Sequence, residues 1–347
     1  MGVWLTMLAS PWWVELPQRL GNIFYFIVLP VLLLAAIGYG IQRALGLDMP
    51  TLKRLNFYFV IPGVIYCSLV ESRLTGGDVA TVVGFALAMQ AGVGGLTYLA
   101  AVLRRVPRDR RNALVMTTIY YNSGNFGLPL QELAFRGVGL GAWARSLQVF
   151  VMVTQNFTSF TIGVALAAGG RRRQSLKQVL LHVAKLPPVY ALLAAVVTIQ
   201  ARHLLGDHAG SVAESVEPFW KTLTYVKNAF IAVALCTLGA QLGTVQRRGR
   251  TGDGPKYPVT LSVFLRLLIG PAVGLALVYA FGLRGSLAQM LLISTASPTA
   301  VNCMLLCLEF DNHPDFAARA VFYSTLLAPV TVTLVVFLAQ SGLLPGG

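Results

Sequence analysis

Two polar interruptions lie inside long apolar stretches of the sequence, and they hold the residues best suited to bind a ligand. The first is N-S-G-N-F-G-L-P, from Asn122 to Pro129, and the second is S-T-A-S-P-T-A-V-N, from Ser294 to Asn302. Proline removes a backbone donor and clashes with the preceding turn, and glycine costs about 1 kcal/mol relative to alanine inside a helix. We therefore expect each stretch to be a helix that is broken near its middle.

Such breaks suit the binding of an anion. The second half of a broken helix presents free backbone N–H groups and partial positive charge at its N-terminus, and asparagine side chains add neutral donors and acceptors. The alternative is a pair of structural kinks that pack through small residues. Two corresponding, asparagine-bearing breaks favour the binding site, for which the candidate residues are Asn122, Asn125, Gly127, Pro129, Pro298, Thr299 and Asn302.

The other ionisable residues are weaker candidates for a functional role. Glu132 follows the first break by one turn and is the preferred candidate for proton coupling, ahead of Glu71. The alternative for both is a solvated position, because each lies near an apparent helix end. Arg266, inside an apolar stretch, has two interpretations: it pairs with a substrate carboxylate, or it snorkels from a helix end. The four histidines have no metal-ligand or nucleophile–base spacing, and Cys303 and Cys307 are interpreted as small buried thiols. We expect no catalytic residue, no metal and no cofactor, and hence no enzyme.

The elements that position these residues are predicted to be membrane-spanning helices. The 347 residues are 56% apolar and 12% charged, about half the charge of a soluble domain. A helix needs about 20 apolar residues to cross the hydrocarbon core. Ten apolar stretches, called spans 1 to 10 below, predict an all-α membrane protein without a soluble domain: 21–43, 52–70, 79–103, 112–135, 139–168, 187–205, 222–244, 257–282, 286–308 and 317–341.

The basic residues predict how the spans are oriented. The formal net charge is +14, and the connections after spans 1, 3, 5, 7 and 9 hold 18 Lys and Arg residues against 8 on the opposite side. Cytoplasmic loops of membrane proteins collect Lys and Arg, so the excess predicts that these connections are cytoplasmic and that both termini are outside. The same explanation removes nucleic acid as a partner. We expect a multi-pass protein of the cell membrane, such as a bacterial inner membrane.

The chain divides into two similar halves. Residues 1–19 form a predicted interfacial segment, 20–168 a first five-helix repeat, 169–186 a cytoplasmic connection and 187–342 a second five-helix repeat. An odd number of helices in each repeat places the two copies in opposite orientations. Pro129 and Pro298 each lie about 110 residues after the start of their repeat, so the broken spans 4 and 9 correspond, which points to a binding site at the membrane midplane.

Seven sequence motifs resemble those of the auxin efflux carrier family, the bacterial permeases related to plant PIN-type transporters. They begin at Gly38 (G-Y-G-I-Q-R-A-L-G-L), Leu55 (L-N-F-Y-F-V-I-P-G), Asn122 (N…G-L-P), Thr154 (T-Q-N-F-T-S-F-T-I-G), Thr237 (T-L-G-A-Q-L), Ser297 (S-P-T-A-V-N) and Asp311 (D-N-H-P-D-F-A-A-R). The resemblance implies ten helices as two inverted five-helix repeats, with helices 4 and 9 crossing at their broken centres. It also implies small organic anions as substrates, and substrate contacts at Asn122, Pro129, Pro298 and Asn302.

Together these features predict a secondary transporter that moves a small organic anion, a carboxylate or an auxin-like acid, by alternating access at the crossing of helices 4 and 9. The expected partners are this anion and the lipid bilayer, with a homodimer left open. One alternative is a sodium- or proton-coupled symporter of a larger amphipathic anion of bile-acid type on a related fold. A membrane-embedded enzyme or a receptor is disfavoured, because the sequence shows neither a catalytic cluster nor a soluble domain.

Overall fold

The computed structural model describes residues 12–72, 74–169, 186–205, 216–250 and 257–345. Most of the predicted interfacial segment (residues 1–11) and most of the predicted cytoplasmic connection (residues 170–185) lie outside these ranges. Within them the chain is helical, and its extended pairing is confined to one isolated β-bridge. The predicted all-helical class is therefore confirmed for the described residues.

The helices of the first half follow the five predicted spans, but the helix Trp12–Ile23 extends span 1 into the predicted interfacial segment 1–19. Span 4 has a non-helical gap, and π-helical turns occur in four spans, at Phe24–Val28, Asn56–Val60, Ser123–Gly127 and Ser159–Gly163. The α-helices are Trp12–Ile23 and Leu29–Leu45 (span 1), Met49–Leu55 and Ile61–Glu71 (span 2), Gly76–Leu103 (span 3), Arg108–Ile119 and Leu128–Arg136 (span 4), and Gly141–Thr158 and Val164–Ala167 (span 5).

The second half follows the same order. Span 9 has a non-helical gap, and span 8 contains the π-helical turn Leu265–Ile269. The α-helices are Pro187–Leu205 (span 6), Glu217–Arg250 (span 7), Tyr257–Phe264 and Gly270–Ala280 (span 8), Gly285–Thr295 and Val301–Glu309 (span 9), and Pro314–Gln340 (span 10).

Helix length and composition support a membrane protein. Six of the described helical stretches are long and apolar enough to cross a bilayer: Leu16–Leu45, Gly76–Leu103, Gly141–Ala167, Glu217–Gln246, Pro258–Ala280 and Pro314–Gln340. Large apolar side chains such as Phe26, Leu204, Tyr225 and Val330 are exposed, as expected where lipid replaces water as the solvent. The arrangement of ten helices as two inverted repeats stays a prediction.

Local sequence explains where helices begin and end. Gly46 ends span 1 with φ of 66°, a left-handed conformation that glycine adopts without strain, and its N–H donates to the Gln42 carbonyl at 3.1 Å. Asp48 caps the start of span 2 by accepting hydrogen bonds from the side chain and backbone of Thr51, which holds the pKa of the Asp48 carboxyl below its usual value. Gly46 and Asp48 thus set the boundary between spans 1 and 2.

Spans 1 and 7 approach each other very closely through glycine. A Cβ atom on Gly38 would lie 2.0 Å from the Cys236 carbonyl oxygen, and one on Gly239 would lie 1.8 Å from the Ala35 carbonyl oxygen. Only a residue without a side chain permits this approach, which is a common way for helices to pack in membranes. The contact fixes span 7 against span 1.

Buried apolar side chains form two clusters. The smaller joins spans 2, 6 and 7, with residues such as Ile65 and Phe230, to Leu128 and Met152 of spans 4 and 5. The larger is built mainly from spans 3, 4, 5, 8, 9 and 10. Spans 4 and 5 therefore lie between the two clusters, and the two broken helices meet there.

Candidate functional site

The two interruptions cross and pair with each other. The first helix of span 4 ends at Ile119 and that of span 9 at Thr295, and short extended segments follow. These segments form an antiparallel bridge between Tyr121 and Thr299. The Asn122 N–H donates to the Pro298 carbonyl at 2.7 Å, and the Ala300 N–H donates to the Tyr120 carbonyl at 3.0 Å. Both predicted breaks are present, and each supplies hydrogen-bond partners to the other.

This pairing provides hydrogen-bond partners for backbone groups that the breaks release. Backbone groups freed from a helix must find partners when water is absent. Neighbouring side chains supply the remaining partners, since Gln155 Oε1 accepts from the Tyr121 N–H at 3.2 Å and Gln148 Nε2 donates to the Ser123 carbonyl at 3.0 Å. Span 5, which carries both glutamines, thereby holds the break of span 4 in place.

A cavity of about 490 Å³ lies beside the crossing. It is lined by the beginnings of both second half-helices, at Ser123, Gly124 and Asn125 and at Val301 and Asn302. The first backbone N–H groups of a helix have no carbonyl partner within it, so both half-helices direct partial positive charge toward this space. The arrangement can hold an anion.

Three of the predicted substrate-binding residues line this cavity. Asn122 is buried, Asn125 is half-buried and Asn302 is exposed to the cavity. Asn125 Oδ1 accepts a hydrogen bond from Asn56 Nδ2 of span 2 at 3.0 Å, which leaves the Asn125 amide nitrogen for a ligand. The breaks therefore bring the three asparagines, from two distant parts of the sequence, to one site.

The other predicted residues lie behind the cavity wall and are buried. Thr299 donates its hydroxyl to the Thr117 carbonyl at 2.8 Å, and the Pro298 carbonyl is taken by Asn122. A Cβ atom on Gly127 would lie 2.5 Å from Gln148 Nε2. Glycine at this position therefore leaves room for the Gln148 amide to reach the Ser123 carbonyl. Pro129 lies in the first turn of Leu128–Arg136. These contacts indicate that the four residues shape the backbone at the crossing.

Two buried amides at the cavity have atoms without a protein partner among the described residues. They are Gln155 Nε2, a donor, and Asn56 Oδ1, an acceptor, on side chains 4% exposed. Buried polar atoms are nearly always hydrogen-bonded. A ligand that accepts from Gln155 and donates to Asn56 would satisfy both, so these two atoms add to the site that the asparagines form.

The charged lining residues are Lys53, in the first helix of span 2, and Glu309, at the end of span 9. Lys53 is half-buried and Glu309 is exposed. Sequence reasoning missed both as site residues because each lies near a span end, where charged side chains are ordinary. It also missed the lining amides Asn56, Gln155, Asn156 and Gln241, although a polar residue within an apolar span is itself a signal for function.

Arg266 takes neither of its two predicted roles. Its side chain is fully buried, and it does not line the cavity. Nη1 donates to the Thr118 carbonyl at 2.9 Å, Nη2 donates to the Thr295 carbonyl, and the guanidinium lies 4.8 Å from the centre of the Tyr121 ring. It therefore binds the C-terminal ends of both first half-helices.

Glu132 belongs to a charged cluster away from the cavity. Its carboxylate lies 2.7 Å from Arg145 Nη1 and 3.1 Å from Arg136 Nη2. Arg145 is buried, and it also contacts Glu71 of span 2 at 3.7 Å, which pairs with Lys227 of span 7 at 2.5 Å. The coupling role predicted for Glu132 stays a prediction, and these contacts favour a structural role that joins spans 2 and 7 to spans 4 and 5.

Comparison with known proteins supports a role in membrane transport. A family model described as "Membrane transport protein" matches residues 170–336, which is just under half of the chain. An uncharacterized transporter of Methanothermobacter thermautotrophicus is 27% identical over 312 residues, covering 88% of this chain and 95% of that protein. An uncharacterized transporter of Methanocaldococcus jannaschii is 21% identical over 318 residues, covering 89% of this chain and 96% of its own.

Plant proteins also match, over a shorter region. Auxin efflux carrier component 1 of Arabidopsis thaliana is 29% identical over 119 residues, which is 34% of this chain and 19% of that protein. A probable auxin efflux carrier component 1c of Oryza sativa is likewise 29% identical over 119 residues. These matches agree with the motifs from which the sequence resemblance was drawn.

Proposed function

Because this chain is a membrane transport protein of the auxin efflux carrier family, we propose that it carries a small organic anion through the cavity at the crossing of spans 4 and 9. The observation that carries the proposal is the convergence of two half-helix N-termini and the three asparagines of the two breaks on one cavity. Each of these groups offers hydrogen-bond donors, and both helix ends add partial positive charge.

The cavity has the size and lining for a small molecule with an apolar body. About 490 Å³ lies within the range of ligand pockets. Phe57, Phe160, Tyr120 and Met152 supply the apolar surface. Neutral amides and backbone N–H groups can hold a carboxylate, and Lys53 adds a positively charged lining side chain.

Alternating access requires that the cavity open to one side at a time. Lys53 and Glu309 lie near the span ends that the basic residues place in the cytoplasm, whereas Arg145 and its carboxylate partners lie near the opposite ends. We infer that this conformation faces the cytoplasm and that the Arg145 cluster closes the outer side. Both termini are then outside, in a cell membrane. Movement of spans 4, 5 and 9 against spans 2 and 7 would exchange the two openings.

A matched pair of ligands tests the proposal. We expect indole-3-acetate, the acid suggested by the plant relatives' names, to raise the melting temperature of the purified full-length protein, together with other aromatic or aliphatic carboxylates. Indole-3-acetamide has nearly the same shape without the charge and should give a much smaller shift. The screen is run with sodium or choline as the cation and at two pH values. Equal shifts for acid and amide, or no shift for any acid, would refute an anion site.

A further inference from the structure

Arg266 is a fully buried cation without an acidic partner among the described residues. It lies in the π-helical turn Leu265–Ile269 of span 8, and its hydrogen bonds go to two backbone carbonyls and not to a carboxylate. A Cβ atom at Gly270 would lie 2.6 Å from Arg266 Nη2, so glycine at this position, one turn after Arg266, leaves room for the guanidinium. A charge buried in this way is costly unless something compensates it.

The compensation comes from both broken helices at once. Thr118 is in the last turn of Arg108–Ile119, and Thr295 is the last residue of Gly285–Thr295. Each helix C-terminus carries about half a negative elementary charge from its unpaired carbonyls. Two such termini amount to roughly one negative charge, which the guanidinium matches, and the Tyr121 ring adds a cation–π contact.

Carriers with broken helices coordinate a coupling Na⁺ or H⁺ at unwound carbonyls and half-helix C-termini. We propose that Arg266 is a tethered cation that fills this place at the crossing, so that the carrier needs no sodium ion there to bind its anion. The consequence for transport rests on the proposed function, but the cation site itself can be tested without any substrate.

The charge and the shape of arginine both matter here. The guanidinium donates from two nitrogens to carbonyls of two different helices, whereas a lysine ammonium supplies the charge from a single point. Lysine should therefore preserve the charge balance and lose part of the geometry. Methionine removes the charge at similar volume, and alanine leaves a space in which a small cation can bind.

The experiment measures melting of the purified full-length protein in sodium chloride and in choline chloride of equal ionic strength. We expect the wild type to melt at the same temperature in both salts. Arg266→Met should melt about 5–10 °C lower, because two buried carbonyls lose their donor, and Arg266→Lys should lie between them. Millimolar methylguanidinium should restore part of the melting temperature that Arg266→Ala loses. The same variant should melt at a higher temperature in sodium chloride than in choline chloride, which a loss of packing alone would not cause.

Arg136→Ala is the control, because Arg136 is an exposed arginine outside the crossing, and neither cation should rescue it. Stabilisation of the wild type by sodium over choline would overturn the proposal, as would a methionine variant at least as stable as the lysine variant. If the methionine and alanine variants do not fold, the salt comparison on wild type and Arg266→Lys still decides. A failed carboxylate screen would refute the proposed function and leave these results unaffected.

Discussion

Alanine at position 302 removes one amide from the cavity and little else. Asn302 is exposed to the cavity, lies in the first turn of Val301–Glu309, and has no hydrogen bond to the described part of the protein. The substitution therefore leaves no buried partner unsatisfied. Its effect on the free energy of unfolding should be within about 0.5 kcal/mol, as at ordinary surface positions.

The effect on binding should be much larger if the amide contacts the anion. A hydrogen bond to a charged group contributes roughly 1.5–3 kcal/mol, and each 1.4 kcal/mol is a factor of ten in affinity. Asn302→Ala should therefore weaken binding of a carboxylate by about tenfold to a hundredfold. The half-helix N-terminus is unchanged by the substitution, so residual binding should persist.

Asn125→Ala should behave differently. Asn125 Oδ1 accepts from Asn56 Nδ2, and Asn56 is buried, so alanine at position 125 leaves that donor without its partner. A buried unsatisfied group costs about 1–3 kcal/mol, and we expect a measurable loss of stability in addition to weaker binding. A double-mutant cycle with Asn56→Ala separates the two effects, because the stability coupling belongs to the protein alone.

The assay pairs isothermal calorimetry on folded protein with a melting curve. The calorimetric ligand is the carboxylate that gives the largest shift in the thermal screen. Asn112→Ala is the matched control, since Asn112 does not line the cavity and its substitution should leave affinity unchanged. Wild-type affinity in both Asn302→Ala and Asn125→Ala would refute side-chain recognition and leave only backbone amides as ligands. A large loss of stability in Asn302→Ala would show that the amide packs as a structural contact.

Three further predictions concern the rest of the fold. Gly239→Ala should destabilise the protein by about 1–3 kcal/mol or more, because its Cβ would meet the Ala35 carbonyl, whereas Gly40→Ala, with open space around it, should not; equal melting curves would contradict this close contact. Glu132→Gln should lower the melting temperature with an unchanged pH profile of uptake, since Arg145 loses an ion-pair partner; a flattened profile would instead assign Glu132 to proton coupling. A single cysteine at position 175, in a background without native cysteines, should resist impermeant reagents in intact cells, and its labelling would reverse the orientation.

The breaks were the most predictable part of the structure. Proline and glycine inside an apolar stretch have a direct steric effect on a helix, so Asn122–Pro129 and Ser294–Asn302 could be identified without knowing any contact. The hydrogen bonds between the breaks were less accessible. They join residues about 180 positions apart, and no local rule gives such a pairing, although the symmetry of the two halves made their meeting a reasonable expectation.

The cavity lining was predictable only in part, because composition does not show which face of a helix a residue occupies. The asparagines at the breaks were found, since polar residues there need a reason. Gln155 and Gln241 lie within spans and give the same kind of signal, but the sequence does not show that they face the cavity. Lys53 and Glu309 gave no signal, because charges near span ends are common. Arg266 is conspicuous as a charge inside an apolar stretch, yet its partners are backbone carbonyls, which side-chain patterns cannot reveal.

The crossing has two sides with opposite electrostatic preference, and this follows from helix direction alone. Both first half-helices end at the crossing and direct carbonyls toward Arg266, while both second half-helices begin there and direct N–H groups toward the cavity. A cation therefore stabilises the two C-terminal ends, and an anion stabilises the two N-terminal ends, of the same broken helices. Because Arg266 is covalently attached, the proposed function requires only the anion to exchange. Loss of the Arg266 charge should accordingly weaken anion binding even though Arg266 does not line the cavity, and Arg266→Lys should retain more affinity than Arg266→Met. Equal affinities in these two variants would show that the two sides act independently.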